Sequence, residues 1–454
     1  RTKQLAGGML AVSVAIAGFT YLAREAPPVR RVDREPTIAA GSLPGSGASV
    51  LSQAPGRPQV AELDRLIRSF GHQTDASPSA AGFAFLGQLE LERARLTGDV
   101  ASYARAGHAL EEAVSLAPQD PEPQALLAGV RFTTHDFLGA FELADRIYAA
   151  DRSLSALAVR GDAELELGRY GEAAADYRVL AAARPGDSST LIRLSRLAFL
   201  HGDGEEAARL AAHAERAAAG EGLFGASLSR YAANRGRLSL EAGNYEEAAR
   251  HYRRAVDAAP DYHVAISGLA GARAAQGRFD DAIRLYERAV ALVPEPASLA
   301  ALGDLYAAVG DERAAADRYA TVEAIATLQA VNRRLYDRQL ALFRADHGGD
   351  LDGALEIARQ GLVTRRDIYG YDVLAWVLFR LGRLDEARQA SDSALAMGTP
   401  DARLWFHAGM ISAGLGDDDR ARTELTRALD LHPAFDPLLA PRAAETLAEL
   451  GGPV

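Results

Sequence analysis

The chain has 454 residues, 48% of them hydrophobic, with 61 acidic and 50 basic side chains, no Cys and a net charge of −11. Without Cys there are no disulfides, thiol nucleophiles, thiolate zinc sites or iron–sulfur clusters, and the acidic balance argues against a sequence-independent grip on phosphate backbones. Lys3 is the only lysine, which removes Schiff-base and P-loop lysine chemistry; the Arg bias reads as GC-rich, bacterial coding.

Leu5 to Ala23 contains no charged residue. As a helix it spans roughly 28 Å, close to a hydrocarbon core. Arg1, Lys3 and Arg24 flank it, and Tyr21 stands where an interfacial aromatic belongs. We expect a single-span anchor over 1–24; a cleaved signal peptide, with Ala15-Ile16-Ala17 as its site, and a soluble helix are the alternatives. Arg30, Arg31 and Arg34 follow the run. A positive-inside count therefore places the body in the cytoplasm, whereas the uncleaved signal-anchor pattern places it on the extracytoplasmic side, the orientation we favour. Gly7-Gly8 offers a small-residue face to a neighbouring helix. Residues 25–60 carry six Pro and several Gly and read as an extended tether.

Helices over 60–70 and 79–96 are expected within a capping segment at 61–97. From there to 435 one ruler governs the chain. Alanines recur at Ala106, Ala140, Ala173, Ala207, Ala248, Ala282, Ala315, Ala354, Ala387 and Ala421, mostly 33 or 34 residues apart. Eight of them follow a Gly by five residues: Gly168, Gly202, Gly243, Gly277, Gly310, Gly349, Gly382 and Gly416. An aromatic often precedes the Ala by three (Tyr103, Phe137, Tyr170, Tyr245, Phe279), and Tyr177, Tyr252, Tyr286 and Tyr319 follow by four. Pro118, Pro185, Pro260, Pro294 and Pro433 close five units. Such a unit is a helical hairpin: a left-handed Gly stops the first helix, the small Ala lets the second approach, and Pro marks the boundary. One hairpin cannot bury its apolar stripe alone, so hairpins must stack.

This pattern resembles the tetratricopeptide repeat, best over 228–294 and again at 161–185 and 405–433. The resemblance implies an all-α, right-handed α-solenoid of about ten hairpins over 98–435, preceded by one transmembrane helix and closed by a C-terminal capping helix within 436–454. Spacings of 41 and 39 residues mark insertions near 219–228 and 324–336. The first two units lack the Gly.

No H-E-x-x-H, Walker A or G-x-S-x-G motif occurs. The acidic stretch Asp346–Gly353 has Ile357 where a calcium loop needs Glu, so a solvated turn is the better reading; Asp417-Asp418-Asp419 reads likewise. No catalytic, cofactor or metal site, and no cofactor, is expected. The resemblance implies a concave groove lined by first helices in which peptide segments of other proteins lie. It places Phe343, Tyr369, Asp372, Trp376, Phe379, Arg403, Phe406 and Met410 there, aromatic, Met and Arg side chains of the kind that anchor interfaces, with core packing as the alternative. Arg196, Arg230 and Arg237 beside Asn234 form a second candidate patch. The carboxylate-clamp positions hold Ile192, Arg196, Asn234, Val264 and Gly268, which disfavours a chaperone co-factor. The expected role is a non-enzymatic, membrane-anchored scaffold, an accessory or structural subunit of a membrane complex; the alternative is a peptide-capturing receptor or assembly factor. Expected partners are proteins and, through 5–23, a membrane, with no nucleic acid.

Overall fold

The computed structural model describes residues 57–97, 99–328 and 333–451. The expected membrane helix and nearly all of the tether lie outside the described residues, and no described helix is long and apolar enough to cross a membrane. The described regular structure is all helical. Helix α1 (Arg57–Ala76) comes first. Ten hairpins follow, in chain order: α2 (Ala80–Thr97) with α3 (Val100–Leu116), α4 (Pro121–Thr133) with α5 (Phe137–Asp151), α6 (Leu154–Glu166) with α7 (Tyr170–Ala183), α8 (Ser188–Leu200) with α9 (Gly204–Gly220), and α10 (Gly225–Glu241) with α11 (Tyr245–Ala258). The second five are α12 (His263–Ala275) with α13 (Phe279–Leu292), α14 (Pro296–Ala308) with α15 (Glu312–Leu328), α16 (Arg333–His347) with α17 (Leu351–Thr364), α18 (Ile368–Arg380) with α19 (Leu384–Ala394), and α20 (Ala402–Gly414) with α21 (Asp418–Leu431). Helix α22 (Leu439–Glu449) closes the array.

Two expected boundaries move. Helix α1 starts at Arg57, inside the stretch read as tether, because Pro58 sits in the first turn, where its missing N–H costs nothing. Helix α2, read as a cap, is the first helix of the first hairpin, so only α1 caps that end.

All ten ruler alanines lie on second helices, and none is more than 1% exposed. Helix packing explains them: a larger side chain there would hold the first helix away. The close approach is visible at Gly236, where an added Cβ would stand 2.8 Å from the Tyr252 ring. The hairpin turns close with one bond pattern, as in Arg169 N–H to Glu164 O at 2.8 Å and Asn244 N–H to Ser239 O at 2.8 Å. The preceding Gly is left-handed at Gly168, Gly202, Gly243, Gly277, Gly310, Gly382 and Gly416. In the eighth hairpin it is Gly348, not Gly349, that turns; Gly349 is an extra residue ahead of the N-cap Asp350. In the second hairpin, which lacks a Gly, His135 adopts φ +60° and does the same work.

First helices touch their successors (α4 with α6, α10 with α12, α16 with α18, α18 with α20), while second helices splay apart. The ribbon therefore curves with first helices inside. The insertion near 219–228 lengthens α9 and α10 and is anchored internally. Glu221 accepts from Ser188 N–H at 2.8 Å and Ser188 Oγ at 2.6 Å, capping the start of α8. Within the other insertion α15 runs on to Leu328, and 329–332 lie outside the described residues.

Candidate functional site

The curvature brings the array back onto itself, as the sequence analysis did not foresee. Tyr170 Oη, at the turn between α6 and α7, accepts from Ile368 N–H at 2.9 Å. Thr399 Oγ1, between α19 and α20, donates to Leu200 O at 2.6 Å. Tyr245 Oη, between α10 and α11, accepts from Ala434 N–H at 2.9 Å, with its ring edge-on to His432. The partners are 198, 199 and 189 residues apart, about six hairpins. Hairpin turns three to five thus stack on the loops that follow hairpins eight to ten, forming a seam. A Cβ on Gly168 would collide with Arg366 O, and one on Gly202 would stand 3.0 Å from Gly398 O. Arg365 pairs with Glu166 and lies 4.7 Å from the centre of the Phe137 ring. Ile368 and Leu404 are buried in one cluster with Leu157, Leu165, Tyr177 and Leu200.

Most of the expected groove patch is core. Trp376 and Phe406 are 0% exposed, and Phe343, Asp372 and Met410 are buried as well. Trp376 donates Nε1–H to Asp346 at 2.8 Å and stacks on Phe379 and His407. Asp372 bonds His407 Nδ1 at 2.9 Å, and Phe406 packs on Phe435. Met410 faces Thr446 of α22, and Phe343 packs on Tyr319 and His347. Arg403 is tied to Asp346 at 3.1 Å and Asp436 at 2.7 Å. Half-buried Tyr369 lies 5.9 Å from Arg338, which itself bonds Asp367 at 2.6 Å. As a groove reading this patch is corrected: Trp376, Phe379, Phe406 and Met410 pack in one cluster with Ala443 and Leu447 of α22 instead of lining an open surface.

Arg196, Arg230 and Arg237 of the second patch are all half-buried. Arg196 keeps 41% side-chain exposure beside Glu166. Burial would raise Glu166, but Arg196 and then Arg365 outweigh it and hold the carboxyl well below its usual range. Arg237 lies over Phe199 at 4.8 Å and Arg230 over Tyr231 at 5.3 Å. The acidic stretch near 346–353 is spent on structure: Asp346 as above, His347 on Asp304 at 2.7 Å, Asp350 as N-cap. Among the described residues no group of His, Asp and Glu could hold a metal ion.

The seam also divides the turn edge of the ribbon in two. A Cβ added at Gly168, Gly202 or Gly243 would meet docked backbone, whereas one at Gly277, Gly310, Gly348, Gly382 or Gly416 would meet nothing within 4 Å.

Residues 239–308 and 373–434 each match a family described as tetratricopeptide repeat. No curated protein matches the sequence. Among solved structures, the chain is similar to one of the APC/C hetero-tetramer Cut9-Hcn1, at 14% identity over 86% of this chain and 93% of that one, TM-score 0.33. A tetratricopeptide repeat protein from Parabacteroides merdae gives 18% identity over 55% and 96%, TM-score 0.39. The human IFIT1 dimer with PPP-AAAA gives 13% over 82% and 85%, TM-score 0.45. The fold and these two matches together show an all-helical array of hairpins carrying tetratricopeptide repeats at 239–308 and 373–434.

Proposed function

We propose that the protein is a non-enzymatic scaffold that binds other proteins, tethered to a membrane by residues 5–23 with its body on the extracytoplasmic side. The observation that carries the scaffold reading is the division of the turn edge. Hairpins three to five spend theirs on the seam, while hairpins six to ten present theirs bare, with Val309 47% and Leu415 37% exposed along it. A row of backbone turns with apolar side chains between them is a surface for a folded partner, as the seam is for the late loops. The charge-free run at 5–23 and its basic flanks support the tether. A scaffold held in this way is suited to an accessory subunit of a membrane complex.

Purification of the native protein in mild detergent, followed by mass spectrometry of what co-elutes, tests this reading. Partners at fixed stoichiometry, lost when Val309 and Leu415 are changed together to Glu, are expected. A lone protein with substoichiometric clients contradicts the subunit reading and favours capture of extended segments beside Arg196 and Arg237. Recovery of the chain in the soluble fraction contradicts the tether.

A further inference from the structure

The junction between hairpins seven and eight is fastened by a histidine whose two ring nitrogens both face acceptors. His347 ends α16. Its Nδ1 lies 2.9 Å from Phe343 O, and its Nε2 lies 2.7 Å from Asp304 Oδ1 on α14. The same Asp304 oxygen accepts from Tyr319 Oη of α15 at 2.8 Å. A backbone carbonyl and a carboxylate that already receives a hydroxyl proton offer only lone pairs, so both ring nitrogens must carry a proton and the ring is an imidazolium. A neutral ring would keep one of the two bonds and turn a lone pair on the other acceptor. His407 shows the contrast. It ties α20 to α18 through Nδ1 and Asp372 at 2.9 Å, but its Nε2 has no partner, so one ring proton suffices.

The apolar cluster that joins the two hairpins is small: Leu299 of α14, Val322 and Ile325 of α15 and Phe343 of α16, with Tyr319 and Leu340 at its edge. The imidazolium lies on that cluster, its ring centre 4.3 Å from that of Tyr319 and 4.6 Å from that of Phe343. The other charges around it are engaged elsewhere. Arg344 of α16 binds Glu323 of α15 at 2.9 and 2.8 Å and lies 3.6 Å from Asp350 at the start of α17. Asp346 accepts from Trp376 of α18 and pairs with Arg403 of α20, which also holds Asp436. The side chains of His347 and Asp304 keep only 16% and 13% exposure, so their pairing is stronger than that of a surface ion pair.

We propose that His347 and Asp304 form a proton-dependent fastener that holds α16 on α14 and so sets the position of hairpins eight to ten on hairpin seven. Burial opposes the charge on His347, but the Asp304 hydrogen bond and charge, the Phe343 carbonyl and then Asp346 outweigh it and raise the ring above its usual value of 6.5. The folded value lies above the unfolded one, so the fastener is fully present below about pH 6.5 and is lost as pH rises through the folded value. The hairpins stay in contact through the apolar cluster and the Arg344–Glu323 pair, so loss of the proton loosens the junction without parting it.

Amide hydrogen exchange of the full chain in detergent, corrected for the intrinsic pH dependence of exchange, reads the fastener. Protection over the second half of α14 and the last two turns of α16 should fall by about three- to tenfold between pH 6 and pH 9, the weakening of one charge-assisted tie, while hairpin four stays unchanged. His347→Gln should show the lower protection at both pH values. Carbon-13 labelling of the histidine Cε1 positions adds a readout on the unaltered chain: one imidazole should titrate above pH 6.5, and Asp304→Asn should bring that titration down. Three outcomes overturn the fastener: every imidazole titrating at or below pH 6.5, a pH-dependent loss of protection that persists in His347→Gln, or a loss spread equally over the array. The fastener rests on the geometry of one junction, so it stands or falls independently of whether the chain binds partners or a membrane.

Discussion

Trp376 carries two opposed meanings in a repeat protein, groove anchor or core, and the bonds it makes decide between them. Its ring is wholly enclosed, and its one polar atom is satisfied by Asp346. Trp376→Ala should therefore lower stability by about 3–5 kcal/mol, the cost of a large core cavity, and urea unfolding of hairpins eight to ten checks it. A variant of wild-type stability that had lost a partner would restore the groove reading. Gly236 makes the opposite point about size. Gly236→Ala gains about 1 kcal/mol of helix propensity but drives a methyl into the Tyr252 ring, so a net loss of about 1–2 kcal/mol is expected. Gly171→Ala, where an added Cβ meets nothing within 4 Å, should be neutral or stabilising. His432 adds a pH signature. Burial lowers it to about 4, below its unfolded value of about 6.5, so the unfolded chain binds the extra proton between those values. Stability should be fully present above pH 6.5 and fall by up to about 2–3 kcal/mol as pH drops through 4. His432→Phe should flatten that slope in thermal melts taken from pH 4 to 7.

At the scale of elements, the hairpins were legible because their signals are local. Ala with Gly five residues before it defines a turn and a close approach within one unit, and the alanine ruler placed every second helix. Where one residue type stood in for another the reading slipped: His135 turns where Gly is the rule, and the doubled Gly348-Gly349 shifted the turn by one. Which residues of α18 and α20 face outward was not legible. A first helix has neighbours on several sides, and late in the chain α22 and the seam cover the side that the repeat pattern alone leaves open. The insertion at 219–228 shows how irregularity is absorbed: Glu221 reaches back to the start of α8. Glu221→Ala should cost about 1–2 kcal/mol through loss of a charged cap on two donors, and amide exchange should show the first turn of α8 fraying before the rest of that hairpin.

The described residues form a ribbon that completes a turn and stacks on itself. Nothing in a unit's sequence announces this, because the seam joins residues nearly 200 positions apart through Gly and Tyr that serve each unit locally as well. Closure depends on a small rotation per hairpin, accumulated over about six. Its consequences are large: Ile368 and Leu404 are buried against Leu157 and Leu200, and the turn edge splits into docked and bare halves. Disulfide trapping across the middle of the seam tests that arrangement most directly. A Cβ at Gly204 would lie 3.9 Å from Pro400 Cγ, within reach of a bridge once both are Cys. In the otherwise Cys-free chain, Gly204→Cys with Pro400→Cys should oxidise nearly completely to a monomer of increased mobility. Gly204→Cys with Arg366→Cys, one hairpin out of register, should not. Failure of the first pair, or equal trapping of both, would contradict a closed superhelix in this register.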